Sequence, residues 1–478
     1  MKSLSCLGLF VLLGVSSLTA EISWRKYDPE EVQDPSTLET KVLQDWKASP
    51  RDPAVRQKLI EITIGEWFPG AKVRLPVTLN APVSGPPCTC VIVSNQSLAV
   101  KPALPSGAML RLLKEHGVGI VLIGMDTVDA MAPDGSLSRG MKENLLRTHD
   151  PRYAPAWIWG LSDMRALTSA CAESTVFKPE KVLATGGSKR GVGAAAAGLH
   201  DIRFTAIMPV VAPILWSPGG PYVEGTLPAN LAKINDDYIA GLPKVAHDSL
   251  VYRQKVRADE RITVAEARTA GWTDKEMAAM SQDAWAVSRV TQDPPYLGRR
   301  NLEIFFNNGT NDNVSPGALE LGRVFPNFPH YLMPGGQHGG AKEAGFNHSV
   351  ASQPEVDENL YSFAMHHFFA ARPWVSPPKI TSHLDPATRI LHVTATFEAG
   401  IEPQKNDLWY SVDRHPDYTL PFEFDTWASL PLQRVSASTF TADLKMESHA
   451  KTLDFLTVHR HEVNGLPVTF SSPLLRAQ

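Results

Sequence analysis

Three residues set far apart in the 478-residue chain have the types needed for nucleophilic catalysis. Ser188 stands in Gly186-Gly187-Ser188-Lys189-Arg190-Gly191, directly after the apolar run Val182-Leu183-Ala184-Thr185 and directly before a stretch rich in Ala and Gly. A serine hydroxyl is a weak nucleophile at neutral pH, so it needs an imidazole to take its proton and an acid to orient that imidazole. Both follow in the order Ser, acid, His that a serine on a strand-to-helix turn requires. Asp312 lies in the turn-rich Asn307-Asn308-Gly309-Thr310-Asn311-Asp312-Asn313, just beyond an apolar run at 302–306. His338 lies in Pro334-Gly335-Gly336-Gln337-His338-Gly339-Gly340, just beyond the run Tyr331-Leu332-Met333, and His348 is a reserve base further on. Taken singly, Ser188 reads as a helix N-cap, Asp312 as a turn residue and His338 as a satisfied side chain. Taken together, in this order and each just after a strand, they predict acyl transfer through a covalent intermediate.

The transition state would place negative charge on an oxygen, and two backbone N–H groups are expected to meet it. One is that of Lys189, the residue after the nucleophile. The other comes from the end of the strand that contains Cys88-Thr89-Cys90-Val91-Ile92-Val93, around Asn95 and Gln96, with Gln96 taken as the donor. Arg190 stands where a second Gly is usual in the G-x-S-x-G turn, a departure from the common pattern.

These residues need a scaffold that carries strand ends to one edge, and the chain supplies its pattern. Short β-branched runs alternate with helical stretches up to about residue 370, which predicts an α/β fold with a mostly parallel, doubly wound sheet. Strands are expected at 71–79, 88–93, 119–123, 182–185, 204–211, 302–306 and 331–333, and helices at 108–116, 155–171, 189–200 and 358–370. Residues 214–300 break the rhythm with many Pro, Tyr and Trp, and read as a cap inserted into an α/β-hydrolase domain spanning 21–370. After Arg372-Pro373-Trp374 the pattern becomes short alternating runs at 389–397, 407–412, 440–444, 453–459 and 467–471. That spacing predicts an immunoglobulin-like β-sandwich over 374–478.

Composition narrows the partners. The 46 basic and 50 acidic residues nearly cancel and form no long single-sign run, which argues against nucleic acid and anionic membranes. Residues 1–20 read as a secretory signal: Lys2, an apolar run at 7–13, and small residues up to Ala20. A secreted or periplasmic protein is expected, with no membrane span. Cys88 and Cys90 are expected to share a strand face as buried thiols, and no spacing suits a metal, so neither metal nor cofactor is expected. The substrate would be a small molecule, a carbohydrate or a peptide.

Thr185-Gly186-Gly187-Ser188-Lys189-Arg190-Gly191, Asn144-Leu145-Leu146-Arg147-Thr148 and the stretch up to Trp159, Asn308-Gly309-Thr310-Asn311-Asp312 and Pro334-Gly335-Gly336-Gln337-His338 resemble the PhoPQ-activated pathogenicity-related family. The resemblance runs from about residue 85 to the C-terminus. It implies an exported α/β-hydrolase-fold protein with Ser188, Asp312 and His338 at the triad positions and a terminal immunoglobulin-like module. The segment after Val93 lacks the Gly-Gly-x-Asn character of that family. A weaker similarity is to glucuronoyl esterases, which also carry a basic residue after the nucleophile. Three readings stay open: a serine esterase acting on a carboxylic ester such as a carbohydrate ester; a dipeptidyl or aminopeptidase-type exopeptidase anchoring a substrate amine on Glu224, Asp236 or Asp237; and a non-catalytic hydrolase fold that binds or signals.

Overall fold

The computed structural model describes residues 27–68, 71–96, 101–124, 136–212, 223–224, 227–248, 250–251, 262–290, 299–314, 316–339, 349–370 and 374–477. The expected signal at 1–20, the reserve base His348, and Arg372 and Pro373 at the expected domain join lie outside these residues, as does part of the 214–300 insertion.

The chain opens with a short helix α1 (Pro29–Gln33) and builds a ten-stranded sheet in the order β1-β2-β3-β5-β4-β6-β7-β11-β12, with β10 joining β7 off this path. The strands are β1 (Lys41–Ala48), β2 (Val55–Phe68), β3 (Ala71–Pro82), β4 (Cys88–Gln96), β5 (Gly119–Gly124), β6 (Phe177–Gly187), β7 (Ala206–Val210), β10 (Glu303–Ile304), β11 (Phe306–Gly309) and β12 (His330–Met333). From β5 to β12 neighbours run parallel, whereas β1, β2, β3 and β5 pair antiparallel. This is the sheet of an α/β-hydrolase fold with an added antiparallel edge. Parallel strands need crossover helices on both faces. Helices α4 (Pro155–Ala172) and α5 (Lys189–His200) cover one face, and α2 (Gly107–His116) with the helix Pro354–Phe369 covers the other.

Between the sheet halves, the described part of the insertion includes α6 (Ala229–Ala240), the helices Val264–Thr269 and Asp274–Ala286, and a parallel pair β8 (Val223–Glu224) and β9 (Ile262–Thr263). Here α3 is Ser136–Thr148, which precedes α4. The strands after residue 379 form two antiparallel sheets of their own. One contains β13 (Lys379–Asp385), β14 (Ile390–Thr396), β17 (Gln433–Arg434) and β18 (Thr439–Lys445). The other contains β15 (Lys405–Val412), β16 (Ala428–Pro431), β19 (Leu453–Val463), β20 (Leu466–Ser471) and β21 (Leu475–Ala477). Their apolar side chains are not a sealed second core. Phe363, Phe305 and Tyr331 of the first part pack in one continuous cluster with Leu391, Phe440 and Phe470 of the second.

One expectation is corrected. The register of β4 on β6 jumps between Cys88↔Phe177 and Cys90↔Lys181, and this irregular step breaks the strict alternation of faces. Cys88 packs with Val91 and Val93, and Cys90 with Ile92 on the other face.

Candidate active site

Ser188 sits between the last residue of β6 and the first of α5 with φ 59° and ψ −130°. A positive φ on a side chain other than Gly costs about 1–3 kcal/mol and persists only where the surroundings enforce it. Here the Ser188 N–H donates to the Val210 carbonyl (2.9 Å), and the Ser188 carbonyl accepts from the Val192 N–H (3.1 Å), opening α5. The turn is tight enough to forbid side chains at two neighbours. A Cβ on Gly186 would lie 2.6 Å from Asn95 Oδ1 and 2.9 Å from Arg190 Cβ, and one on Gly191 would lie 2.7 Å from Ala212 Cβ. Arg190 is tolerated in place of a glycine because its Cβ faces Gly186, which has none.

Asp312 and His338 come from loops at the carboxyl ends of the neighbouring strands β11 and β12. The two loops touch directly: the Asn311 N–H donates to the Gly336 carbonyl (3.0 Å), and the Gly335 N–H to Thr310 Oγ1 (2.8 Å). A Cβ on Gly309 would run into the Gly336 backbone, so this approach needs a glycine. The result brings the three predicted side chains together. His338 Nε2 lies 2.8 Å from Ser188 Oγ, while its Nδ1 lies 3.2 Å from Asp312 Oδ1 and 3.4 Å from Oδ2. Asp312 is fully buried and also accepts from the Val314 N–H (2.9 Å), whereas His338 keeps about a quarter of its side chain exposed. Because a carboxylate can only accept, Nδ1 carries the imidazole proton and Nε2 is left to accept from the serine hydroxyl.

On the far side of Ser188, the Lys189 N–H belongs to the first turn of α5, where backbone donors lack helical acceptors. Gln96 ends β4 beside β5, and its side chain accepts from the Thr78 hydroxyl (2.7 Å). The adjacent residue offers more than a backbone group. The Asn95 side chain reaches the nucleophile turn at Gly186, and its Nδ2 is buried without a hydrogen-bond partner among the described residues. Pairing of β4 with β6 ends at Val93↔Ala184, so Asn95 and Ser188 flank the crevice where strand order reverses, the usual ligand position in open α/β sheets. Sequence reasoning named the Gln96 backbone N–H and passed over the Asn95 side chain; a side-chain amide next to a Gly-rich elbow was the available signal.

Of the acids considered for anchoring an amine, two have described side chains. On α6, Asp237 pairs with Lys233 (2.8 Å) and Asp236 is exposed, while Glu224 is on the short strand β8. Among the described residues no cluster of His, Cys, Asp and Glu suits a metal ion, and no helix is long and apolar enough to cross a membrane. Burial pushes the Cys88 thiol up to about 11, which leaves it a poor nucleophile.

No family model and no curated protein matches the chain. The chain is similar to several solved structures. An acetyl xylan esterase from Paenibacillus sp. R4 is 13% identical, with a TM-score of 0.41 over 72% of this chain and 99% of that one. A glucuronoyl esterase from Solibacter usitatus is 15% identical, with a TM-score of 0.40 over 70% and 87%. A puromycin hydrolase is 14% identical, with a TM-score of 0.33 over 73% of this chain and 42% of that one.

Proposed function

We propose that this protein is a serine hydrolase acting on a carboxylic ester. The observation that supports it is one alignment: Ser188 Oγ, His338 and the buried Asp312 in hydrogen-bond sequence, with Ser188 held in a strained turn. In the first half-reaction Ser188 Oγ attacks the acyl carbon while His338 Nε2 takes its proton. The tetrahedral oxyanion is met by the Lys189 N–H and the Asn95 side-chain amide. Collapse expels the alcohol, which leaves with the proton from His338. Water then attacks the acyl-enzyme by the same route, releasing the acid and restoring Ser188. Asp312 accepts from Nδ1 and holds the imidazole in the required tautomer.

An ester is favoured over a peptide because the exopeptidase reading needs a carboxylate aimed at the substrate amine, and among the described residues Asp236 faces solvent and Asp237 is taken by Lys233. A purely binding role would leave the strained Ser188 geometry without a purpose. The reading includes export, from the signal-like residues 1–20, and kinship with the PhoPQ-activated pathogenicity-related family. A panel of p-nitrophenyl and carbohydrate esters beside dipeptidyl fluorogenic amides, with Ser188→Ala as control, tests it. Ester turnover that vanishes in the variant is expected; amide turnover alone would favour the exopeptidase.

A further inference from the structure

Both catalytic loops rest on one segment of the C-terminal sandwich, Leu420–Phe424 and the residues up to Trp427. The Glu423 carbonyl accepts from Asn311 Nδ2 (3.2 Å) and from Gln337 Nε2 (2.8 Å). Asn311 immediately precedes Asp312, and Gln337 immediately precedes His338, so a single carbonyl ties the acid to the base. Asn311 is held further: its Nδ2 also donates to the Asp425 carbonyl (2.7 Å), and its Oδ1 accepts from Trp427 Nε1 (2.9 Å). On the other side of Asp312, Asn313 donates to the Glu423 carboxylate. Arg414, almost wholly buried and paired with Asp417 (2.8 Å), donates to the Thr310 carbonyl (2.6 Å). The same segment touches the insertion, where the Leu420 N–H donates to Asn235 Oδ1 (2.5 Å) and Phe424 packs on Tyr238 of α6.

We propose that this segment is a positioning element of the catalytic site, with Asn311, Gln337, Trp427 and Arg414 as positioning residues that set the spacing of Asp312 and His338. A loop left to itself would sample many positions, whereas catalysis needs its groups held within about 0.5 Å. The His338 loop is also tied to Ser349, whose hydroxyl donates to the His338 carbonyl (3.3 Å). The flanking side chains, Asn311 and Gln337, are 2% and 4% exposed, and their amides supply the donors that the sandwich carbonyls accept. The sandwich is on this account part of the enzyme's working site, not an appended module.

The proposal rests on the triad reading, and the experiment separates the two. The full chain, the double variant Asn311→Ala/Gln337→Ala, the single variant Trp427→Phe and the surface control Arg434→Ala are compared for ester hydrolysis, fluorophosphonate labelling and Tm. A 1 Å misplacement costs up to about 100-fold, so kcat of the double variant should fall roughly 10- to 100-fold with KM within about twofold. Trp427→Phe, which keeps the ring and removes one N–H, should give a smaller loss of the same kind, and Arg434→Ala none. A folded double variant with full kcat overturns the proposal, as does a loss confined to KM. Should the double variant fail to fold, Trp427→Phe decides in the same way. A wild-type chain that neither turns over esters nor labels at Ser188 would instead reject the triad reading beneath it.

Discussion

Ser188 and its two partners are held by different kinds of structure. The nucleophile is fixed largely by its own neighbours: Gly186, Gly191 and Val192 shape the turn, and the Ser188 N–H is anchored on the Val210 carbonyl of the adjacent strand. Asp312 and His338 depend on groups 112 and 86 residues from their flanking amides, Asn311 and Gln337. Local steric necessity leaves a mark in sequence, because only glycine fits. Long-range support through backbone carbonyls leaves almost none, since any residue carries a carbonyl.

Variants that break the site should rank accordingly. Ser188→Ala or His338→Ala should each lower kcat by about 10⁴-fold or more, because triad members act as a unit. Asp312→Asn should cost about as much as a wrongly protonated imidazole does, up to roughly 10⁴-fold, whereas His348→Ala should leave most activity; steady-state kinetics on a p-nitrophenyl ester checks all four. Asn95→Ala should cost about 10²-fold in kcat with little change in KM, the size of one lost oxyanion donor. An unchanged kcat there would return the second donor to the backbone.

Gly186→Ala sharpens the comparison from the other side. Its Cβ would meet Asn95 and Arg190, so the local turn should shift, destabilising the fold by about 1–3 kcal/mol. Denaturant melts and ester kinetics should fall together in this variant, unlike the pure kcat loss expected at Asn311 and Gln337.

The core elements were largely readable. The helix predicted at 189–200 matches α5 at both ends, and the predicted strands at 88–93, 119–123 and 331–333 match β4, β5 and β12 within a few residues. What escaped included β2, despite its buried Val55, Leu59, Ile60, Ile62 and Ile64, and structure without an apolar pattern. Strand β1 has no buried residue, so it offered no alternation, and β13 is mostly exposed. The helix expected at 358–370 starts at Pro354, because its first turn is capped by Pro and acids instead of an apolar stripe. The expected strand at 302–306 splits into β10 and β11 as pairing with β7 is interrupted at Phe305. At the site, residue types and order pointed to Ser188, Asp312 and His338, but nothing in the spacing of Arg414, Glu423 and Trp427 links them to that chemistry.

The smallest effect on activity concerns a second buried carboxylate. Asp163 on α4 is fully buried with neither oxygen hydrogen-bonded among the described residues, unlike Asp312, and burial holds its carboxyl well above the ordinary carboxylate range. A carboxyl whose folded value is raised stabilises the fold most below its unfolded value of about 4, and that contribution is lost as pH rises toward the folded value. Asp163→Asn should therefore raise Tm by about 2–4 °C or more at neutral pH, flatten the stability profile above pH 4, and leave kcat unchanged. Thermal melts from pH 4 to 8 read it directly.

The central claim is that Ser188 is a nucleophile activated by His338. Intact-mass spectrometry after incubation with a fluorophosphonate tests it most directly. One adduct per chain is expected, mapping to Ser188, absent from Ser188→Ala and strongly slowed in His338→Ala. Folded wild-type protein that takes up no adduct, or takes it up at another residue, would contradict the account.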